Sequence, residues 1–390
     1  MAYFEIEALK AYHGDCLILH WGESEDARKT ALVDGGASRT YDRFLRPRLE
    51  TLANDAGGTL DLAFAMLSHI DSDHVSGLLD LTSELIDADM EDKAPLVTIS
   101  DLWHNAFSDT IAGVDAKLKT TQPAALVLSA AIEDSTELDH IFGGASDLVL
   151  AGVAQGRRLS RDAERLNIPT NDQNDGKLIL RGAVSDPIIV DGLNLSVIGP
   201  SEVELRKLRK KWARELKKIL KKEGSAAEVA SAASGLDRSV HNLASLVILA
   251  EFEGLSLLLT GDARGDMILE WLDEGGYLND ESLEIDVLKI PHHGSNRNAS
   301  VIFFEKVRAK HYIFSGNGKH GNPDPSTLAM LFEARGDEEY TLHLTYSDAE
   351  MADHNDFDGR AYRRLMQRYP WARGKIKFPS ENSNGLSIRF

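Results

Sequence analysis

The chain of 390 residues has a single cysteine, Cys16, so it cannot form an internal disulfide. Chains with so few thiols are typical of the cytosol. No apolar run approaches the ~20 residues of a transmembrane helix. The opening residues, MAYFEIEALKAYHGD, carry charges where a signal peptide would be apolar. These absences predict a cytoplasmic protein that has no membrane partner.

Positive charge is also scarce: the chain has 43 Lys and Arg residues and 62 Asp and Glu residues, which gives a net charge of −19. Such a field repels phosphate and argues against a general nucleic-acid coat protein. One segment differs: ELRKLRKKWARELKKILKK, residues 204–222, is densely basic. Its apolar residues recur every three or four positions, which predicts an amphipathic helix. Its charged face either lies in solvent or contacts phosphate groups.

The hydrophobic pattern predicts a mixture of strands and helices in an α/β or α+β arrangement, with sheets covered by helices. One domain over residues 1–390 is expected, with helical insertions at about 80–190 and 200–240. Helices are predicted over LRPRLETLAND, PAALVLSAAIEDS, LAGVAQGRRLSRDAERLN and MILEWL. Strands are predicted over YFEIEAL, CLILHWG, KTALV, LDLAFAMLSH, VTISDLWHN, GLNLSVIG, both halves of LASLVILAEFEGLSLLLTGD, IDVLKI, HYIF, YTLHLTY and GLSIRF.

The segment SHIDSDH follows a buried strand and contains His69, Asp71, Asp73 and His74. Imidazole and carboxylate groups together suit zinc, manganese or iron. On an extended turn, His69 and Asp71 would bind one ion, and Asp73 and His74 would turn toward a second. A solvated acidic loop or a calcium loop is the alternative, but calcium sites rarely use histidine. The segment therefore predicts a metal site.

Two further segments place polar groups at strand ends. LLLTGD ends an apolar strand with Asp262, and LKIPHHGS ends another with His292 and His293. The carboxyl ends of strands are where open sheets gather ligands. We therefore expect these residues to join the SHIDSDH group. His104, in DLWHN, is either a pocket residue or a histidine packed beside Trp103.

In this order, ALVDGG, SHIDSDH, NLASLVILAEFEG, LLLTGD and VLKIPHHGS resemble the motifs of metallo-β-lactamase-fold hydrolases. They are most similar to the ComEC-like branch, with its His-x-Asp-x-Asp-His, Asn-x-x-Ser, Gly-Asp and His-His-Gly-Ser signature. The resemblance extends from about residue 4 to residue 330. It implies an αββα sandwich of two mixed sheets, with helices outside and a site for one or two metal ions at one edge.

The resemblance also implies roles for individual residues. Asp34 would orient the metal loop, and Asp15 would act similarly. Asn242 matches the Asn of Asn-x-x-Ser, and the adjacent His241 is either a pocket residue or an ordinary loop histidine. The metal ligands it implies are His69 and Asp71 for the first ion, Asp73 and His74 for the second, Asp262 as a bridge and His292 as the last ligand.

In the wider superfamily a histidine stands where this chain has Asp71, and the substitution makes the site harder and more anionic. One or two divalent ions, zinc or manganese, are the expected cofactor. A metal-bound hydroxide is the expected nucleophile. Asp73 and His293 are the expected catalytic residues, and His293 either hydrogen-bonds to the developing oxyanion, protonates the leaving group or simply braces His292.

The branch that the chain resembles favours phosphodiester hydrolysis, of DNA or of a small nucleotide. Two alternatives remain open at the level of sequence. The first is hydrolysis of a small ester, lactone, thioester or lactam. The second is a metal-binding sensing subunit that acts only with a partner protein. The pattern gives no information on oligomeric state.

Overall fold

The computed structural model describes residues 2–105, 147–184, 187–207, 210, 244–381 and 383–390. Among the described residues, the strands of its first sheet are β1 Tyr3–Leu9, β2 Leu17–Gly22, β3 Lys29–Val33, β4 Leu60–Leu67, β5 Val97–Ile99, β6 Leu102–His104 and β15 Gly385–Arg389. Their order is β15-β1-β2-β3-β4-β5, and β6 also pairs with β4. The pairs β15–β1, β1–β2 and β2–β3 are antiparallel, whereas β4 is parallel to β3, β5 and β6.

The second sheet has the order β14-β13-β12-β11-β10-β9-β8-β7. The β7 to β10 portion is antiparallel, and β10 to β14 are parallel to one another. The predicted hairpin around EFEG is the β9–β10 pair. The eight strands are β7 Ile188–Val190, β8 Leu193–Gly199, β9 Val247–Phe252, β10 Leu255–Leu259, β11 Leu283–Lys289, β12 Val307–Phe314, β13 Thr341–Leu344 and β14 Ile376–Lys377.

Helices cover the outer face of each sheet. Apolar residues of the first three helices pack with those of the first sheet in one cluster, and the later helices pack with the second sheet in another. The described helices are α1 Arg46–Asp55, α2 Ser72–Met90, α3 Asp147–Arg165, α4 Gly265–Glu274, α5 Val301–Lys306, α6 Pro325–Arg335, α7 Asp348–Ala352 and α8 Gly359–Arg368.

A third apolar cluster lies between the two sheets. Phe4 and Phe64 of the first sheet belong to it, together with Ile248, Val287 and Ile313 of the second. Burial of these side chains from both sheets is the main force that holds the sheets together. The layers are therefore helix, sheet, sheet and helix, and the predicted fold class, an αββα sandwich of two mixed sheets, is confirmed.

One predicted strand is divided in the structure, and strands β7 and β14 were not predicted. VTISDLWHN forms two short strands, β5 and β6, because the backbone breaks at Ser100 and Asp101 while both halves pair with β4. The helix predicted over PAALVLSAAIEDS and most of the basic segment 204–222 lie outside the described residues. Among the helices that the structure describes, none is both long and apolar enough to cross a bilayer.

Candidate metal centre

The SHIDSDH segment joins the end of β4 to the start of α2. His69 lies two residues after β4, whereas Asp73 and His74 belong to the first turn of α2. Asp71 is the N-cap of this helix and has extended backbone angles. The expected extended turn is therefore a strand-to-helix junction. Because the chain changes direction at Asp71, the segment presents His69 and Asp71 separately from Asp73 and His74.

The second sheet contributes the loops after β10 and β11. The amide of Asp262 donates to Oγ of Ser245 at 3.3 Å, and the amide of His292 donates to the carbonyl of Gly261 at 3.1 Å. His292 and His293 have φ angles of 49° and 54°, in the left-handed region that non-glycine residues rarely occupy. Backbone strain of this kind is concentrated at functional sites.

Asp262 lies at the centre of the cluster, and its two carboxylate oxygens face different residues. Oδ2 lies 3.7 Å from Nε2 of His69 and 3.5 Å from Nε2 of His292. Oδ1 lies 3.4 Å from Nε2 of His74 and 3.5 Å from Nε2 of His293. Each oxygen therefore has two imidazole nitrogens of its own.

Two more carboxylates complete this division. Oδ2 of Asp71 lies 3.5 Å from Nε2 of His69, on the Oδ2 side of Asp262. Oδ2 of Asp73 lies 3.5 Å from Nε2 of His293, on the Oδ1 side. The cluster thus consists of two donor groups that share Asp262. One group is His69, Asp71 and His292, and the other is Asp73, His74 and His293.

Two buried carboxylates hold the outer nitrogens of the imidazole rings. Nδ1 of His74 lies 2.8 Å from Oδ2 of Asp34, which also accepts from Oγ of Ser68 at 2.7 Å. Nδ1 of His293 lies 3.1 Å from Oδ1 of Asp15, and Asp15 also pairs with the buried Lys289. Carboxylates in this position orient a metal-binding histidine and raise its basicity. The Nε2 atoms are left facing Asp262.

The donors fit a divalent ion. Asp15, His74, Asp262 and His293 form a buried group whose candidate ligand atoms all lie within 4.8 Å of one another, so the group can hold a metal ion. Within it Asp15 contacts Nδ1 of His293, and Asp73 is the carboxylate that faces Nε2 of His293. Nε2 of His69 and Oδ1 of Asp262 are buried without a hydrogen-bond partner among the described residues. Four ligands at ~2.1 Å in a tetrahedron lie about 3.4 Å apart. The separations around Asp262 match that value.

The pKa shifts of the buried carboxylate and histidines also favour a bound cation. Burial alone would raise the pKa of Asp262, but four surrounding histidines hold it well below its usual value. Burial lowers the pKa of His74 and His293, yet carboxylates overcome this effect, mainly Asp34 and Asp262 for His74 and Asp262 and Asp15 for His293. The pKa of His293 rises to about 9. The carboxylates therefore favour positive charge on His74 and His293. A divalent ion that displaced the protons of these histidines would supply that charge instead.

The cluster has a closed side and an open side. The side chains of His69, His74, Asp262 and His293 are at most 3% exposed. Those of Asp71, Asp73 and His292 are 29%, 22% and 32% exposed. The last three form the solvent-exposed rim of the cluster.

A turn from the second sheet lies beside this rim. The ring of His13 packs edge-on against His320, with centroids 5.3 Å apart. Burial lowers the pKa of His13 to about 4, with smaller effects from Asp73 on one side and from Lys319 and His320 on the other. His13 thus lies between the cluster and a cationic turn.

All the predicted site residues that the structure describes, including Asp34, converge on this cluster, while His241 and Asn242 lie outside the described residues. The assignment of His292 as a metal ligand and of His293 as a catalytic residue stays a prediction, because Nε2 of each faces Asp262. His104 pairs with Leu67 where β6 meets β4, and its buried ring lies near Gly156 of α3, where burial lowers its pKa to about 4. Sequence reasoning missed Lys289, whose only signal is a lysine in the apolar run IDVLKI.

Comparison with known proteins gives no further assignment. No protein-family model matches the chain, and no curated protein matches it.

Proposed function

We propose that this chain is a metal-dependent hydrolase of phosphodiesters that acts in the cytoplasm. The observation that supports this most is the position of Asp262, whose two carboxylate oxygens each face two imidazole nitrogens at 3.4–3.7 Å. A carboxylate shared between two donor groups is the arrangement that a two-metal hydrolase requires. The resemblance of the motifs to metallo-β-lactamase-fold hydrolases agrees with this proposal.

Each donor group would hold one divalent ion, zinc or manganese. The two groups are His69, Asp71 and His292, and Asp73, His74 and His293, with Asp262 common to both. A bound ion would supply Lewis-acid activation and lower the pKa of water toward neutrality. In this proposal His293 is a ligand rather than a proton donor, since its Nε2 lies 3.3 Å from Nε2 of His74 and 3.5 Å from Asp262.

The surrounding residues fix the orientation of the ligands. Asp34 and Asp15 hold Nδ1 of His74 and of His293, so neither ring can turn its Nε2 away from the cluster. The partly exposed Asp71, Asp73 and His292 leave one side open to a substrate. The chain thus provides a rigid buried floor and an accessible rim, which is the preorganisation that catalysis needs.

A phosphodiester fits this site better than a neutral ester or lactone. The cluster contains Asp71, Asp73 and Asp262, and oxygen-rich donor sets favour the harder ions that bind phosphate oxygens. Lys319 and His320 lie on the turn beside His13, at the rim. These groups can attract an anionic substrate to an otherwise acidic protein.

The test is phosphodiester cleavage by protein that has been stripped of metal and reloaded with manganese or zinc. Single-stranded DNA, duplex DNA and bis(p-nitrophenyl) phosphate are compared, and p-nitrophenyl acetate serves as the ester substrate. Asp73→Ala removes a rim carboxylate, and we expect it to lower kcat at least a hundredfold. The matched control is Asp89→Asn, which neutralises an exposed aspartate at the other end of the same helix.

Metal-dependent diester cleavage that Asp73→Ala abolishes and Asp89→Asn retains would support the proposal. Cleavage of the acetate ester alone would replace it with a small-ester hydrolase. Absence of any cleavage, with two ions bound per chain, would reject a stand-alone enzyme and favour a subunit that needs a partner protein.

A further inference from the structure

Helix α8, which packs against the second sheet, has a row of exposed arginines. The polar side chains of α8 are Arg360, Arg363, Arg364, Gln367 and Arg368, and all are exposed. The apolar residues of the helix, Tyr362, Leu365 and Met366, are buried. The arginines lie at spacings of three, four and eight residues and therefore occupy one face. We call Arg360, Arg363, Arg364 and Arg368 the arginine stripe.

The stripe is unusual in a chain with a net charge of −19. None of its four arginines forms an ion pair with a carboxylate of the described residues. Arginines elsewhere do so: Arg46 pairs with Glu50 and Glu84, and Arg389 pairs with Glu25. From residue 359 to residue 380 the sequence has no Asp or Glu, and Arg373 and Lys377 extend the positive surface.

This arrangement works against the stability of the helix. Arg360 is three and four residues from Arg363 and Arg364, and Arg364 is four residues from Arg368, so like charges are neighbours. The first turn contains Arg360 and no acidic residue, although the positive end of the helix dipole favours anions there. Asp358 compensates in part, because its carboxylate accepts hydrogen bonds from the amides of Arg360 and Ala361. An external polyanion would relieve the remaining repulsion.

The stripe starts close to the turn at the rim of the metal centre. The amide of His320 donates to Oδ2 of Asp356 at 3.0 Å, and α8 begins three residues later. Asn317 contacts His354 at 2.9 Å, which also ties the turn to this segment. The same segment contains Asp353, Asp356 and Asp358. These acidic residues separate the turn with Lys319 and His320 from the arginine stripe, which begins at Arg360.

We propose that the arginine stripe binds the phosphate backbone of a nucleic acid whose neighbouring phosphodiester occupies the metal centre. The inference rests on the proposed function above. Guanidinium groups bind phosphate through paired hydrogen bonds. From Arg360 to Arg368 the helix rises about 12 Å, which corresponds to about three phosphates along one strand. A lipid surface fits less well, because the apolar residues of α8 lie in the core and cannot insert.

The binding test uses a double substitution with a matched control. Arg360→Gln/Arg364→Gln removes two stripe arginines, while Arg161→Gln/Arg165→Gln removes two exposed arginines of the same spacing from α3. Binding to labelled 20-nucleotide single-stranded DNA and to a 20-base-pair duplex is followed by fluorescence anisotropy against salt. Measurements are made in EDTA and again in calcium. Vesicles of phosphatidylserine and polyglutamate are the competing probes.

We expect the stripe variant to bind DNA about tenfold more weakly, and the slope of log K against log salt to fall by about 0.7–0.9 per lost contact. The α3 variant should bind like the unmodified protein. Equal losses in both variants, no DNA binding by the unmodified protein, or preferential binding to vesicles or polyglutamate would overturn the inference.

Hydrolysis of bis(p-nitrophenyl) phosphate separates this inference from the proposed function. The small diester has no second phosphate to place on the stripe, so its kcat/KM should be unchanged in Arg360→Gln/Arg364→Gln. If the unmodified protein hydrolyses no diester with any metal, the proposed function fails, and the anisotropy result still decides whether the stripe binds DNA.

Discussion

Nδ1 of His293 lies 3.1 Å from a carboxylate oxygen of Asp15, a residue 278 positions earlier in the chain. Asp15 is on the loop between β1 and β2 of the first sheet, and His293 follows β11 of the second. Lys289, fully buried in β11, pairs with the same carboxylate. The orientation of one imidazole in the metal centre therefore depends on contact between the two sheets.

We predict that Asp15→Asn weakens zinc binding about 10- to 100-fold, the usual effect of losing a carboxylate that supports a metal ligand. The substitution removes the negative charge that raises the basicity of His293. It also leaves Lys289 buried without a counter-charge, so Asp15→Asn/Lys289→Met is the control for misfolding. Competition with a chromophoric chelator measures the affinity. Unchanged affinity in both folded variants would show that Asp15 does not support the site.

His292→Ala and His293→Ala should each remove one ion. Each substitution deletes a donor from one side of Asp262, so we expect bound zinc to fall from two ions per chain toward one after dialysis. Elemental analysis of the dialysed proteins measures this. His293→Ala should also unfold at a lower temperature than His292→Ala, because the His293 side chain is 2% exposed and that of His292 is 32% exposed. Retention of two ions by both variants would contradict the division into two donor groups.

Metal binding should stabilise the folded chain. The donors come from distant parts of the sequence, so the unfolded chain has little affinity for the ion. Free zinc at a hundred times its dissociation constant then adds about 2.7 kcal/mol to the free energy of unfolding. Calorimetry with zinc and with EDTA measures the difference. In Asp262→Ala the difference should be small, and an equal difference in that variant would place the stabilising ion elsewhere.

We predict that acid destabilises the fold at a second buried cluster, in which Glu7 contacts His20 and Arg48. Oε1 of Glu7 lies 2.7 Å from Nε2 of His20, and both carboxylate oxygens accept from Arg48 at 2.7 Å. Burial raises the pKa of Glu7, but His20 and Arg48 outweigh burial and lower it from 4.5 to about 2. The group therefore stabilises the fold fully above pH 4.5, and this contribution is lost as the pH falls toward 2.

The loss amounts to about 3 kcal/mol, at ~1.4 kcal/mol per pKa unit. Urea unfolding between pH 5 and pH 2 measures the free energy of unfolding, with Glu7→Gln as the comparison. Other carboxylates titrate in both proteins, so the prediction concerns the difference. The variant should lose less stability on acidification. Parallel curves for the two proteins would show that Glu7 is not the group responsible.

Local patterns predicted most of the strands and most of the candidate ligands, whereas the sandwich was implied by the resemblance to metallo-β-lactamase-fold hydrolases. Runs such as LVILAEF and IDVLKI predict strands by themselves, and a polar residue after such a run predicts a strand end where ligands gather. The pairing of Asp15 with Lys289 and His293 could not be predicted. It depends on how the two sheets are placed, which no short-range pattern specifies.

The helices α2 and α5 to α8 were not predicted, although local signals exist for α6, α7 and α8. Asp324 caps α6 and is followed by Pro325, a common first residue of helices. Ser347 and Glu350 form a capping box at the start of α7. The polar face of α8 contains four arginines and Gln367.

The separation between Asp15 and His293 also bears on the order of folding. Contacts between residues so far apart in sequence carry a large loop-closure cost and form late. The cluster can therefore be complete only after both sheets have formed and met. We therefore expect an ion bound there to slow unfolding more than it speeds folding, because interactions absent from the folding transition state act mainly on the unfolding rate. Such an ion would prolong the lifetime of the native fold without taking part in its nucleation.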